Sequence, residues 1–532
     1  MIAWFLSTFF PVSPLQTRLL YPEVEMCEHW TLICSISPYA TASSHHAYTD
    51  SQLVTAATGK RKLPGSYLTN NALEAFPAPL ILPGDDIDCD PKYPPQSFRS
   101  WLNLGVRNHV TSRRNVIYLA AAPDIDVDVA FMRDWQHPRL GRNTRRVRPA
   151  SGPLFCYLCV QNANPMGADG VDVNVIAAYL RTFYHGLEVK VLPQRLYFTS
   201  WEDESSARRG CSTQNQKCQQ VGLSTGGEIV RIRVRSTPPA DTVSPPQLFA
   251  YPYQLNLNDL TDVAMDILPS DAYALLLMTA HDIYESDDDD FCCGRAWGAS
   301  RVAIVSSARY HTIMDDLHDV DGEHVWPASH CKAFVDEISA QGQAGISGKS
   351  GRKAMKGSKA ANEPTLSLAS TPLQKALNAH LHAFSTGITP DANAASTLLF
   401  RLCRTTSHEL GHCFGLDHCM YKACVMQGSG SVAEDMRQPP YLCPVCDRKI
   451  AWAILQGNSA RKEQSSTTMD SLPNQEGRRR ARDEFEDCEG KISGWKRGRS
   501  LAMKEFCERQ RGSFTALAAW CDAMLDIGAE ES

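Results

Sequence analysis

The chain has 532 residues, 43% of them hydrophobic, and carries 53 Lys and Arg against 59 Asp and Glu for a net charge of -6. That length can bury a sizeable core and leaves room for two or more domains, and the acidic balance excludes a general nucleic-acid binder. Nineteen cysteines, an odd number in a long chain, fit a reducing compartment better than a disulfide framework.

Met1 to Val12 is apolar, yet it lacks a basic start and meets Pro11 and Pro14 before any small-residue cleavage site, so it does not read as a secretory leader. No stretch approaches the roughly twenty apolar residues of a membrane span, so no membrane partner is expected. From Met26 to Ala150 the chain is rich in Pro, Ser, His and Asp. Its short apolar runs at 78–83 and 115–120 predict strands or turns in an irregular, partly disordered N-terminal region, 1–150. His45 and His46 are adjacent and point apart, which favours a solvated loop over a metal pair. The basic run Arg139 to Arg148 reads as a solvated loop too.

Leu154 to Val160 predicts a strand, Val173 to Tyr184 a helix and Val189 to Leu192 a second strand, an order that opens an α/β (α+β) domain assigned to 151–455. Cys156 and Cys159 read as core residues of the first strand, because positions three apart face opposite sides of a sheet. Glu204 to Thr242 is polar and is expected to be an excursion between elements. Leu255 to Leu268 predicts a helix, and Tyr273 to Thr279 and Arg301 to Ser307 predict buried strands. Asp287 to Asp290 lacks the spaced oxygens of a calcium loop and reads as a solvated turn. Ala340 to Ala361 is nearly devoid of apolar residues and predicts a flexible insertion, 340–365. Gln343 stands where a phosphate loop ending at Gly348-Lys349-Ser350 needs glycine, so no nucleotide site is expected.

Thr371 to Phe384 and Ala394 to Leu416 predict helices. In the second, Leu399, Leu402, Thr406, Leu410 and Cys413 form a core stripe while His408 and His412 face a cleft. Two histidines four apart project about one turn from each other on one helix face, the separation two imidazoles need to share a zinc ion. Glu409, beside the first, is placed to be a base rather than a ligand. Gly415 stands where the helix must stop and turn. That turn can return His418 as a third nitrogen, leaving a fourth tetrahedral position for water. Cys419, Cys424, Cys443 and Cys446 have spacings that allow two knuckles to close a tetrahedral thiolate cage, with two disulfides or four thiols as the alternatives.

The run His408-Glu409-Leu410-Gly411-His412 with Gly415 and His418 resembles the metzincin zinc peptidases. The cysteines that follow, with Val425-Met426 and Cys443-Pro444-Val445-Cys446, resemble the archaemetzincin branch, tightly over Thr405 to Lys449 and loosely elsewhere. The resemblance implies a metzincin-like zincin fold, with a mixed β-sheet and an active-site helix carrying the His-Glu pair. It implies a catalytic zinc on His408, His412 and His418 and Glu409 as general base. Met426 is then in the turn beneath the metal, and a structural zinc sits on Cys419, Cys424, Cys443 and Cys446, two zinc ions per chain. Thr279, Asp282, Tyr284, Phe291, Gly294, Ala296, Val305 and Ser306 look like degenerate counterparts of the family's preceding strands. The role this implies for Phe291 to Ala299 is an edge strand that pairs with extended substrate, the alternative being a plain core hairpin.

Arg448 to Leu455 predicts a closing helix, 456–490 a polar linker with Arg478 to Arg482 as a solvated charge run, and 491–532 a C-terminal segment with a helix over Lys496 to Leu525. The function expected is a zinc-dependent peptidase in which Glu409 assists attack of a zinc-bound water on peptide or protein substrates. The alternatives are a catalytically silent zinc protein of structural or regulatory role on the same fold, or a hydrolase of a non-peptide amide. Location is expected to be intracellular, in cytoplasm or nucleus.

Overall fold

Three continuously apolar runs build the centre of the molecule: β1 (Val116–Ala120), β8 (Ala272–Thr279) and β11 (Val302–Ser306), with every residue buried. Unbroken apolar sequence is what parallel strands covered on both faces require, and β8 lies parallel between β1 and β11. β3 (Glu188–Val191) extends the sheet beyond β1 in parallel, and β10 (Gly294–Trp297) closes the other margin antiparallel to β11, with Gly294 opposite Val305. The computed structural model describes residues 31–59, 75–139, 171–201, 220–238, 250–347, 371–385, 390–463 and 475–530. Among these no helix is long and apolar enough to cross a membrane.

A second, mostly antiparallel sheet runs in the order β2 (Asp124–Ile125), β4 (Tyr197–Thr199), β5 (Gln220–Ser224), β6 (Ile229–Ser236), β7 (Tyr253–Asn256) and β9 (Ile283–Tyr284). The helix Leu257–Asp266 then leads from β7 to β8, its N-terminus capped by the Asn256 side chain, which accepts from Asp259 N. The helix Val173–Phe183 buries Ile176, Ala177, Tyr179, Leu180 and Phe183, a stripe at helical spacing, and feeds β3.

Three expectations are corrected here. The region 1–150 is not separate from the main domain, because β1 is an inner strand of the central sheet and Trp101 is fully buried in the same core as Leu410. The polar excursion expected over 204–242 contains the β5–β6 hairpin. In β6, Ile232 and Val234 point inward while Arg231 and Arg233 point out, so half the strand reads as charge; Arg233 pairs with Asp259 at 2.8 Å. The C-terminal part is helical well before 491: the helix Pro444–Glu463 outlasts the expected boundary and another spans Gln475–Gln510. The chain reverses at Arg511 and Gly512, with φ of 59° and 53°, into the helix Thr515–Glu530. Phe506, Phe514 and Trp520 from this hairpin join the main core, and Trp520 stacks on Tyr441 at 4.1 Å. The expected strand Leu154–Val160 with Cys156 and Cys159, most of the basic run after Arg139, and the insertion after Ser347 lie outside the described residues.

The core encloses histidines whose burial links stability to pH. His281 donates from Nε2 to the Met132 carbonyl (3.1 Å) against Phe198, and His330 bonds the Ala78 carbonyl (3.2 Å). Burial pushes each imidazole down to about 4. Unfolding restores an ordinary value near 6.5, so the unfolded chain binds more protons between these limits and stability falls as the pH drops from about 6.5 towards 4. Each site is expected to cost about 2 kcal/mol at pH 5. Urea unfolding at pH 7 and pH 5 measures this, and His281→Gln should flatten the slope.

Candidate functional site

The helix Pro390–Cys413 crosses under the margin of the central sheet. Leu402, Thr406, Leu410 and Cys413 are buried, with Leu399 partly so, which turns His408 and His412 to the opposite side. The helix ends as Gly415 and Leu416 fold back: Gly415 N donates to the His412 carbonyl (2.8 Å) and Leu416 N to that of Gly411 (3.2 Å), with Gly415 at φ 77°. This paired cap requires a left-handed residue, which glycine supplies without strain. Trp101 Nε1 donates to Phe414 O (2.9 Å) and Gln96 Nε2 to Gly415 O (3.0 Å), so residues some three hundred positions earlier satisfy the turn.

The turn returns His418 to the first two histidines. Ring centroids are 4.8 Å apart for His408 and His412, 5.5 Å for His408 and His418, and 5.2 Å for His412 and His418. The nitrogens that face one another lie within 4.8 Å. Nδ1 of His408 donates to the Val425 carbonyl (2.6 Å) and Nδ1 of His412 to that of Leu416 (2.8 Å), which turns both Nε2 atoms inward, 3.0 Å apart. Burial holds His408 well below its ordinary pKa and pushes His412 down to about 4. Neutral imidazoles with unprotonated Nε2 atoms converging on one point are the donor set a zinc ion takes.

Glu409 is 7% exposed, and burial pushes its carboxyl up to about 8 against the opposing pull of Arg295. It lies directly beneath β10: a Cβ at Gly294 would come within 2.9 Å of Glu409 Oε1, and one at Gly298 within 2.5 Å of the His412 carbonyl. The marginal strand at Gly294 and the turn after it at Gly298 therefore rest on the helix through bare backbone. Beneath the helix, a Cβ at Gly411 would lie 2.4 Å from Met426 Sδ, so the fully buried Met426 packs against the helix backbone under the histidines.

Cys419, Cys424, Cys443 and Cys446 are all buried, with sulfurs within 4.8 Å of one another and Cys419 and Cys443 at 3.5 Å. Cys424 Sγ accepts from the backbone N–H of Met426 (3.5 Å) and Cys443 (3.2 Å), and Cys419 N donates to the Met426 carbonyl (2.7 Å). No disulfide forms among the described residues. Four sulfurs gathered around one centre and served by backbone N–H groups fit a closed thiolate cage. All eight site positions read from the sequence, and Met426, thus fall into two adjoining clusters and one packed turn. Sequence reasoning missed the N-terminal partners Asp86, Gln96 and Trp101, since nothing local in the chain signals contacts across three hundred residues.

His408, Glu409 and His412 on one helix, with His418 returned by the turn that follows and four cysteines adjoining, form a candidate metal centre set under a sheet margin. Residues 383–452 match the pattern of peptidase family M54, and over this segment the chain is similar to the archaemetzincins. It is 28% identical to archaemetzincin-2 of Homo sapiens over 201 residues, 38% of this chain and 42% of that protein. It is 24% identical to archaemetzincin-2 of Mus musculus over 62% of this chain and 70% of that one, and 47% identical to archaemetzincin of Thermococcus kodakarensis over 10% and 28%. The chain thus spans about two fifths of the length of the first curated relatives it matches. The crystal structure of archaemetzincin from Methanopyrus kandleri aligns with a TM-score of 0.27 at 15% identity, covering 65% of this chain and 97% of that one.

Proposed function

We propose that this chain is a zinc-dependent peptidase of metzincin type, with His408, His412 and His418 holding the catalytic ion. The observation that carries the reading is the convergence of three neutral imidazoles beside a buried carboxyl group, under a sheet margin. Zinc at that point supplies a Lewis acid that acidifies water and polarises the scissile carbonyl. Glu409 accepts a proton from the attacking water and returns it to the leaving nitrogen, so that one C–O bond forms as the C–N bond breaks. β10 offers an outer backbone edge to which an extended peptide can add as a further strand, with Gly294 holding the scissile region close to Glu409. Met426 is the residue of the turn beneath the ion. Cys419, Cys424, Cys443 and Cys446 hold a second, structural zinc that fixes the loop carrying His418. The location proposed is a reducing compartment, cytoplasm or nucleus, where thiols stay available to hold a metal.

Digestion of a mixed peptide library by the purified full chain tests the reading. Cleavage that stops on addition of a hydroxamate and is absent from His418→Ala is the expected result. No cleaved peptide from zinc-replete protein would instead support a silent zinc-binding role on the same fold.

A further inference from the structure

His408 and His412 each commit Nδ1 to a backbone carbonyl, which fixes the tautomer that leaves Nε2 bare. His418 lies beyond the helix in irregular backbone, and no carbonyl among the described residues serves its Nδ1 in this way. The group that faces that atom is a carboxylate from far away in the chain: Asp86 Oδ2 stands 4.0 Å from His418 Nδ1. The approach depends on a third residue. A Cβ at Gly428 would lie 2.2 Å from Asp86 Oδ2 and 2.7 Å from His418 Nδ1, so only a bare backbone leaves room for the pair.

Asp86 is also held where it is. Its backbone N–H donates to Glu434 Oε2 (3.0 Å), and the same oxygen accepts from Gly430 N (2.7 Å), which ties the aspartate to the loop that carries Gly428. Next to it Asp85 accepts from Leu82 N (2.9 Å) and forms an ion pair with Arg437. Asp85 and Glu434 are 4% and 5% exposed, a buried clamp on either side. The Asp86 side chain itself is 47% exposed and that of His418 39%, so a small side-chain rotation is free to bring 4.0 Å to hydrogen-bond length.

We infer that Asp86 is a positioning residue for His418: its carboxylate accepts the Nδ1 proton, holding the tautomer and ring direction that present Nε2 to the other two imidazoles. The inference rests on the reading of those imidazoles as a zinc site. It gives the N-terminal region a direct part in the metal centre. Outer-shell partners of metal-bound histidines commonly change metal affinity by about 10- to 100-fold.

The test is zinc competition between the full-length protein and a chromogenic chelator, read for wild type, Asp86→Ala, Asp86→Glu and His418→Ala. Asp86→Ala should release its more weakly held ion at about 10- to 100-fold lower chelator strength, while the thiolate-held ion keeps its wild-type curve and Asp86→Glu recovers most of the loss. A wild-type curve for Asp86→Ala, where His418→Ala loses the ion, overturns this inference alone. So does an equal loosening of both ions, since that marks a general structural defect. If His418→Ala matches wild type, the zinc reading of the imidazoles fails and this inference fails with it.

Discussion

Glu409→Gln is expected to keep both metal ions and lose about three to four orders of magnitude in peptide turnover, the upper part of the range for a general acid–base group. The substitution keeps shape and volume beneath β10, where a Cβ at Gly294 would already lie 2.9 Å from the side chain, so the strand and helix have no cause to move. What it removes is the capacity to take a proton. Among the described residues no neighbouring acid stands ready to replace it: Asp435, the acid that acts on Glu409, forms an ion pair with Arg404 and accepts from the Tyr310 hydroxyl at 3.1 Å. Burial raises Glu409 to about 8 in the metal-free protein, so its ionised form is the disfavoured one and a neutral amide in its place should leave the melting temperature equal or higher. Thermal unfolding and zinc content measured beside single-turnover rates separate a lost base from a damaged fold. Wild-type turnover by this variant would remove Glu409 from the mechanism.

The site was legible because its information is local. His408, His412, Gly415 and His418 fall within two turns of helix and one cap, and each relation is set by helix geometry that sequence spacing reports directly. The same holds for β8 and β11, whose unbroken apolar runs can only be buried. What could not be read is long-range. β1 lies among residues rich in Pro and Asp, and nothing near it says that it pairs with Leu275 and Leu276. β6 buries Ile232 and Val234 but alternates them with arginines, so average polarity hides the strand. Trp101 closing on the Phe414 carbonyl and Asp86 approaching His418 are contacts of tertiary structure alone.

The second large effect is expected from the cysteines, and it is asymmetric: Cys424→Ser should lose both metal ions, whereas His418→Ala should lose one. Cys424 is fully buried, its sulfur accepting from the backbone of Met426 and Cys443, so it links the turn beneath the histidines to the second pair of thiols. That turn includes Val425, whose carbonyl orients His408, and Cys419 directly follows His418. Two of the three imidazoles are therefore placed by backbone that the sulfur cage holds. A structural zinc in small domains contributes apparent binding energies of about 10–16 kcal/mol, comparable to the whole stability of a domain at about 5–15 kcal/mol. Without it four buried polar sulfurs surround an empty centre, and the backbone around Cys419, Cys424 and Cys443 loses its main constraint while Glu434, Arg437 and Tyr441 still anchor the rest of the loop from 417 to 446. The reverse dependence is weak, because the cage draws none of its ligands or N–H donors from the histidines. Metal analysis should therefore return two ions for wild type, one for His418→Ala and none for Cys424→Ser, with the last also showing increased proteolysis within that loop. A folded Cys424→Ser that still holds an ion on its imidazoles would show that the two centres are independent.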